Sequence, residues 1–300
     1  MDHKDLSEKK AASLSVRSSE LLMAAVVIAR STSFVFSKMI VAAMSPFNIL
    51  AVRFLTAFAI LLALFFRRLR LLTPRVFRNG VLLGLTYTVV MGFEMLGLRS
   101  TQSSLASLIE NSAFILVPFL EIAFLRVYPG RRNIFGMLLA FAGLLALNFD
   151  PALRFGGGCV YLLAAMAFYA LAIFLTSIFA RDGEPLLIGV VQIGTMGVCS
   201  LLLSLLFESF RLPAGGREWG MILMLAVVCS VFGFTLQPVA QRALSADRAG
   251  MFSVLNPLAA IVWGRLVLAE PITPVKLLGA ALILTGILYP NLAKGKAAGV

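Results

Sequence analysis

Apolar residues in this chain gather in ten stretches separated by short polar intervals: 21–43, 47–66, 77–97, 103–124, 133–149, 159–180, 186–207, 219–237, 248–268 and 272–290. About 20 mostly apolar residues suffice to carry a helix across a bilayer, so each stretch is a candidate span. Breakers stand where turns are needed, at Ser45-Pro46, Thr73-Pro74, Pro129-Gly130, Asp150-Pro151, Gly156 to Gly158, Gly183 to Pro185, Pro213 to Gly216 and Glu270-Pro271. The period-two alternation of a membrane β-strand is not found. A spanning segment must pair its own backbone polar groups, which leaves helices. The pattern therefore predicts an all-α membrane protein with ten transmembrane helices and no separate soluble domain.

The pattern also repeats. Sliding the chain by 143 residues places Gly279 on Gly136, Gly286 on Gly143, Gly250 on Ser107 and Ala246-Asp247 on Ser103-Ser104. Each half holds five spans, and an odd number inverts the second half relative to the first. The expected organisation is a tail over 1–20, a five-helix repeat over 21–149, a second over 150–290, and a tail over 291–300. Two inverted repeats around a central cavity are the build of carriers that open alternately to the two sides.

Composition agrees. Of 300 residues, 60% are apolar and 13% charged, and the mean hydropathy is +0.96. A net charge of +12 would suggest nucleic acid for a soluble protein. Here the basic residues fall between spans, so the expected partners are the lipid bilayer and a small-molecule substrate, with no nucleic acid. Intervals on the N-terminal side of the bilayer hold 17 of the 26 Lys and Arg residues and the opposite intervals hold 6. That bias predicts both termini in the cytosol and the protein in the cell (inner) membrane. From residue 150 onward the count is 5 against 5, so the span count orients the second half. The first 19 residues are polar and read as a cytosolic tail rather than a targeting segment. Monomer and homodimer both stay open.

Cys159, Cys199 and Cys229 stand singly in apolar stretches, and the one histidine is His3 in the tail. No metal site and no cofactor are expected. The phosphate-binding pattern GxxxxGK[ST] does not occur, so drive by ATP within this chain is unsupported; proton coupling and simple facilitation stay open. An intramembrane lipid-modifying enzyme is the alternative from another class. It would need an acid/base or metal constellation, which the absence of intramembrane histidine and of paired aspartates argues against, so catalysis is not expected.

Charge inside a bilayer costs about 2.5–3.5 kcal/mol per residue on insertion scales and calls for a reason. Arg30 and Glu110 fall near the middle of their spans and Glu94 near the outer end of the third. Arg30 is expected to face inward and pair with Glu110 or Glu94, where it could hold a substrate carboxylate or serve only as a packing ion pair. Glu121 is expected to pair with Arg126, Arg53 and Lys38 to snorkel from span ends, and Glu270 to cap the tenth span. Neutral polar candidates for the cavity are Tyr87, Asn111, Tyr169, Gln192, Gln237 and Asn256. Gln237-Pro238 and Asn256-Pro257 stand out because proline frees a carbonyl one turn back. Trp263 reads as a cavity wall or an interfacial anchor. Gly136, Ala140 and Gly143, with Gly279 and Gly286, put small residues on one face for close helix contact.

Several of these residues carry a resemblance. Thr32-Ser33-Phe34 with Lys38, Ser45-Pro46 followed by Arg53-Phe54 and Ala57, then Ala243-Leu244, Ala249, Asn256-Pro257, Glu270 with Thr273, and Gly279 to Gly286 come in an order that resembles the drug/metabolite transporter superfamily, in its ten-span EamA-type branch. The resemblance spans about 21 to 290. It implies a secondary transporter of small polar or amphipathic solutes, typically an exporter of amino acids or related metabolites; a facilitator of drug-like cations is the alternative. The chain departs from the family where Arg30-Ser31 replaces Trp-Gly. It departs again where Val127 stands against Glu270 of the second repeat, and where Pro118 lies four residues past the partner of Pro257.

Overall fold

The structure, a computed structural model, describes residues 15–101, 103–147, 156–259, 262 and 273–292. Every regular element among the described residues is helical: α1 (Val16–Ile40), α2 (Pro46–Phe65), α3 (Pro74–Ser100), α4 (Ser103–Asn111), α5 (Val117–Leu120), α6 (Arg131–Leu147), α7 (Gly158–Phe179), α8 (Pro185–Phe207), α9 (Gly216–Met224), α10 (Thr235–Gln241), α11 (Ala246–Ser253) and α12 (Pro274–Leu292). Seven helical stretches are long and apolar enough to cross a membrane, two of them composite: Leu105–Leu125, built on α4 and α5, and Gly216–Gln241, built on α9 and α10. The protein is a multi-pass membrane protein. The fifth and tenth expected spans are the shorter helices α6 and α12. The ninth is described through residue 259 and at 262; Glu270, Pro271 and Trp263 lie outside the described residues.

The expected breakers act as helix starts. Pro46, Pro74 and Pro185 each stand in the first turn, where the missing N–H costs nothing and φ is already helical. Thr73 Oγ1 accepts from Val76 N at 3.3 Å and Ser15 Oγ from Ser18 N at 3.1 Å. Ser45 makes no such bond. The start of α2 is capped instead from a distant segment: the Glu208 carboxylate, just past α8, accepts Phe47 N at 3.2 Å and Asn48 N at 2.9 Å.

Three spans are not continuous α-helices. Between α4 and α5 runs a 3-10 turn over Ser112–Ile115, and α5 leads into a π turn over Glu121–Leu125 that ends on Arg126 at φ 55°. A ten-residue π segment, Leu225–Phe234, joins α9 to α10. After α11 the chain breaks at Val254 and resumes as a helical turn over 255–259, which contains Asn256-Pro257. Wide or tight turns within spans free backbone groups and re-aim side chains, and they recur at functional sites.

The two halves interlock across an approximate two-fold. α1 packs on the π segment and α10, and α3 packs on α7; α2 packs on α8, and α6 on α12. Each of these contacts joins one half to the other. At the α6–α12 crossing, a Cβ on Gly143 would meet the Gly279 carbonyl oxygen at 2.7 Å, and one on Gly286 would meet the Gly136 carbonyl oxygen at 2.5 Å. Since Gly279 is the repeat partner of Gly136 and Gly286 that of Gly143, the contact is self-complementary and antiparallel. The small face predicted from the sequence thus lets two backbones touch.

Polarity is inverted relative to a soluble core. Leu202, Leu205 and Leu206 are exposed on α8 while Arg30, Arg53, Glu94 and Glu110 are buried. Both ends of the bundle are tied. At the end holding the C-termini of α1, α3 and α8, Lys38 Nζ donates to the carbonyls of Leu98 (2.5 Å) and Thr101 (3.0 Å). There too Arg211 Nη2 donates to Ala43 O (2.6 Å), and its Nη1 pairs with Glu218 (2.9 Å). At the other end Arg75 pairs with Asp182 (2.8 Å), Arg248 with Glu20, and Asn133 with Asp247.

Two stability measurements check this architecture. Gly143→Leu forces the α6–α12 backbones apart and should cost about 1–3 kcal/mol in detergent unfolding, whereas Gly220→Leu, with nothing within 4 Å of its would-be Cβ, should not. Glu208→Ala should cost about 1 kcal/mol while Ser45→Ala stays within about 0.5 kcal/mol, because the cap comes from Glu208.

Candidate functional site

Midway along α1 a buried stripe of Ser19, Met23, Val26 and Arg30 turns inward at helical spacing. Arg30 Nη1 donates to Gln237 Oε1 at 2.6 Å and lies 3.5 Å from the Tyr169 hydroxyl. Gln237 Nε2 in turn donates to the Tyr87 hydroxyl at 2.7 Å. The guanidinium sits 4.1 Å from the Phe234 ring centre, with Tyr169 at 5.5 Å and Tyr87 at 5.9 Å. An aromatic cage of this kind stabilises a desolvated cation by about 2 kcal/mol. Gly233 makes it possible, since a Cβ there would lie 2.6 Å from Arg30 Cγ. Arg30, Tyr87, Tyr169 and Gln237, which the sequence placed on four separate spans, thus form one network.

Arg53 is a correction. It does not snorkel from a span end; it is 1% exposed. Its Nε donates to Ser230 Oγ (2.9 Å) and its Nη1 to Ser33 Oγ (3.1 Å). It stands about 10 Å into α2 at 1.5 Å per residue, too deep for its head to return to the interface. The π segment supplies its partner: Ser230 Oγ also reaches Leu225 O, five residues back, at 3.2 Å. The same segment brings Cys229 Sγ to 3.2 Å from Thr32 Oγ1.

Arg30, Ser33, Glu94, Glu110 and Asn256 line one central cavity, with Phe34, Met91 and Phe234 as its apolar wall. Its free space, about 10 Å³, holds about one water molecule. Glu94 and Glu110 are side by side here. The expected ion pair from Arg30 to Glu110 or Glu94 is not formed among the described residues. Neutral Gln237 and the rings hold the guanidinium instead, so the carboxylates stay turned to the cavity. Asn256 Nδ2 donates to Asn111 Oδ1 at 3.1 Å, and Asn111 Nδ2 donates to Ser107 O at 2.7 Å. That chain leaves three buried atoms without a partner in or beside the cavity: Glu110 Oε2, Asn256 Oδ1 and Arg53 Nη2. A buried polar atom left so costs about 1–3 kcal/mol, more when charged.

Other expectations fare differently. Gln192 is buried on α8 with neither amide atom hydrogen-bonded, and it does not line the cavity. Trp263 lies outside the described residues. Lys38 does not snorkel but caps the carbonyl end of α3. Glu121 does not pair with Arg126; its Oε1 accepts Ala246 N at 3.0 Å and caps α11. The sequence reading named Ser33 only within the Thr32-Ser33-Phe34 signature, and it passed over Ser230, Phe234 and the depth of Arg53. Only the last had a usable signal, the distance from Pro46. The others depend on the π geometry, which no local pattern announces.

Comparisons with known proteins agree with the membrane fold. The model of the EamA-like transporter family matches residues 17–149 and again 156–291. An uncharacterized transporter of Archaeoglobus fulgidus is 26% identical over 276 residues, covering 91% of this chain and 85% of that protein. The uncharacterized transporter YetK of Bacillus subtilis is 25% identical over 289 residues, covering 91% and 86%. A solved crystal structure superposes with a TM-score of 0.79 at 19% identity, covering 94% of this chain and 99% of its own, and shares the fold. Two successive copies of the family's repeat cover nearly all of this chain, which is a membrane transporter belonging to the EamA-like transporter family of the drug/metabolite transporter superfamily.

Proposed function

We propose that the protein is a secondary transporter of small zwitterionic solutes, amino acids and their relatives, working by alternating access at the Arg30–Glu110 cavity. One observation carries the reading. The cavity is lined by one arginine, two glutamates and Asn256, and Arg53 stands behind its Ser33. The atoms left unpartnered there are two acceptors, Glu110 Oε2 and Asn256 Oδ1, and, behind Ser33, one donor, Arg53 Nη2. An ammonium group satisfies the acceptors and a carboxylate satisfies the guanidinium. A solute with one charge alone leaves a buried ion uncompensated.

The free space admits about one water and both ends of the bundle are tied, which supports reading this conformation as an occluded one. Loading requires one set of ties to part, at the Lys38 and Arg211 end or at the Arg75 and Arg248 end. The Lys and Arg distribution supports placing the Arg75 end in the cytosol of the inner membrane, and the family resemblance supports outward movement.

Reconstituted vesicles test the reading with labelled amino acids. Counterflow should be saturable, and Glu110→Gln and Arg53→Met should each lower it by about tenfold or more, the loss of one charge-assisted bond of about 1.5–3 kcal/mol, while eluting as folded protein. Gln192→Leu should retain flux and unfold no more easily than wild type, because it removes two unsatisfied buried atoms. Absence of flux for every zwitterion from folded protein overturns the reading. In competition, a decarboxylated amine and a deaminated acid should each compete about tenfold more weakly than the intact amino acid, by the same bond energy. Equal competition by the amine alone favours a cation carrier.

A further inference from the structure

A second cavity lies at the end of the bundle that holds Arg75 and Arg248, away from the solute site. It is a groove of about 680 Å³ bounded by the first turn of α1, the start of α8 and the last turn of α10. Three arginines, Arg68, Arg181 and Arg242, meet there with one carboxylate, Glu184. Glu184 lies 3.9 Å from Arg68, which leaves two positive charges in excess. Arg181 Nη2 donates to Leu244 O at 3.0 Å, which anchors its head at the rim. The Arg242 side chain forms no hydrogen bond or ion pair among the described residues. Ser19, fully buried, also lines the groove, and its Oγ has no partner. The remaining wall is apolar, with Leu186 buried and Leu236 and Val239 half-buried.

We propose that this groove binds the phosphodiester headgroup of an anionic phospholipid. The arginines supply planar donor forks that match phosphate oxygens, and Ser19 Oγ offers one more donor at the base. The groove is built from helix ends, the level at which headgroups lie, and the apolar wall runs from there along α10 into the span, as an acyl chain does. Basic pockets between helix ends are a recurrent form of lipid headgroup site. A soluble phosphate would use the arginines and leave Leu236 and Val239 without a role. Because Ser19 and Arg68 come from the first half and Arg181 and Arg242 from the second, a lipid held among them would clamp the two halves at an end that parts during transport.

The test uses the full-length protein in nanodiscs of phosphatidylcholine with or without phosphatidylglycerol. Phosphatidylglycerol should raise the melting temperature, and native mass spectrometry should show it retained over phosphatidylcholine. Arg242→Gln, whose side chain has no described partner to lose, should weaken retention by about fivefold, the effect of one basic residue near the headgroups. Arg181→Gln with Arg242→Gln should abolish the preference, while Arg217→Gln, outside the groove, should keep it. Equal retention of the two lipids, or unchanged retention in the double variant, overturns the proposal. So does a soluble glycerol phosphate that reproduces the melting shift in pure phosphatidylcholine, which would make the groove a site for free anions.

Discussion

The constraint on which this structure depends is the burial of two guanidiniums and two carboxylates in the middle of a membrane protein. No water is at hand to solvate them, so each must be met by protein groups or by a ligand. Arg30 is met by an amide and three rings, and Arg53 by two hydroxyls. Neither arginine spends itself on a glutamate. The two carboxyl groups line a cavity scarcely larger than a water molecule. Had the arginines and glutamates paired directly, the centre would be a satisfied structural ion cluster with little reason to admit a solute.

Supplying those partners explains the irregular helices. The π segment over 225–234 carries Ser230 to Arg53 and Phe234 under Arg30 and keeps Cys229 beside Thr32. Gly233 leaves room for the stem of Arg30. The break at Val254 likewise turns Asn256 to Asn111. Backbone irregularity inside a bilayer is tolerable where it lines a polar cavity, and here it faces one.

The two-fold relation joins site and architecture. The most extensive pairings of spans cross from one half to the other, and the cavity is lined from both halves, so neither half encloses it alone. Arg30, Glu94 and Glu110 come from the first half, Gln237, Tyr169 and Asn256 from the second. The glycine contact of α6 with α12 fixes the halves at one edge of the bundle. The polar ties at the two ends range from exposed, at Arg75–Asp182, to largely buried, at Arg248–Glu20 and Asp247. The exposed ones are individually weak, the kind of contact that can be exchanged. A phospholipid seated by Arg242 would act on that exchange.

Much of the fold is visible in the sequence because the bilayer simplifies the problem. Apolar length, proline starts and the glycine spacing of the repeat identify the helical spans and their inverted pairing, since each is a local consequence of hydrocarbon thickness or of backbone contact. The polar candidates Arg30, Tyr87, Glu94, Glu110, Asn111, Tyr169, Gln237 and Asn256 are likewise legible, because a polar side chain in an apolar stretch stands out. What each one bonds is not legible. Arg30 to Gln237 spans 207 positions in the chain, and Arg53 to Ser230 spans 177. Gln192 is as plain a polar side chain in its apolar stretch as Gln237, though without the following proline, yet only Gln237 reaches Arg30. Which side of a helix turns inward, and where a span widens into a π turn, depends on how all the helices pack at once. The sequence by itself therefore determined the membrane fold, the repeat and the set of polar groups. The tertiary structure alone decided which arginine meets an amide, which carboxylate is left facing the cavity, and which polar groups stay outside it.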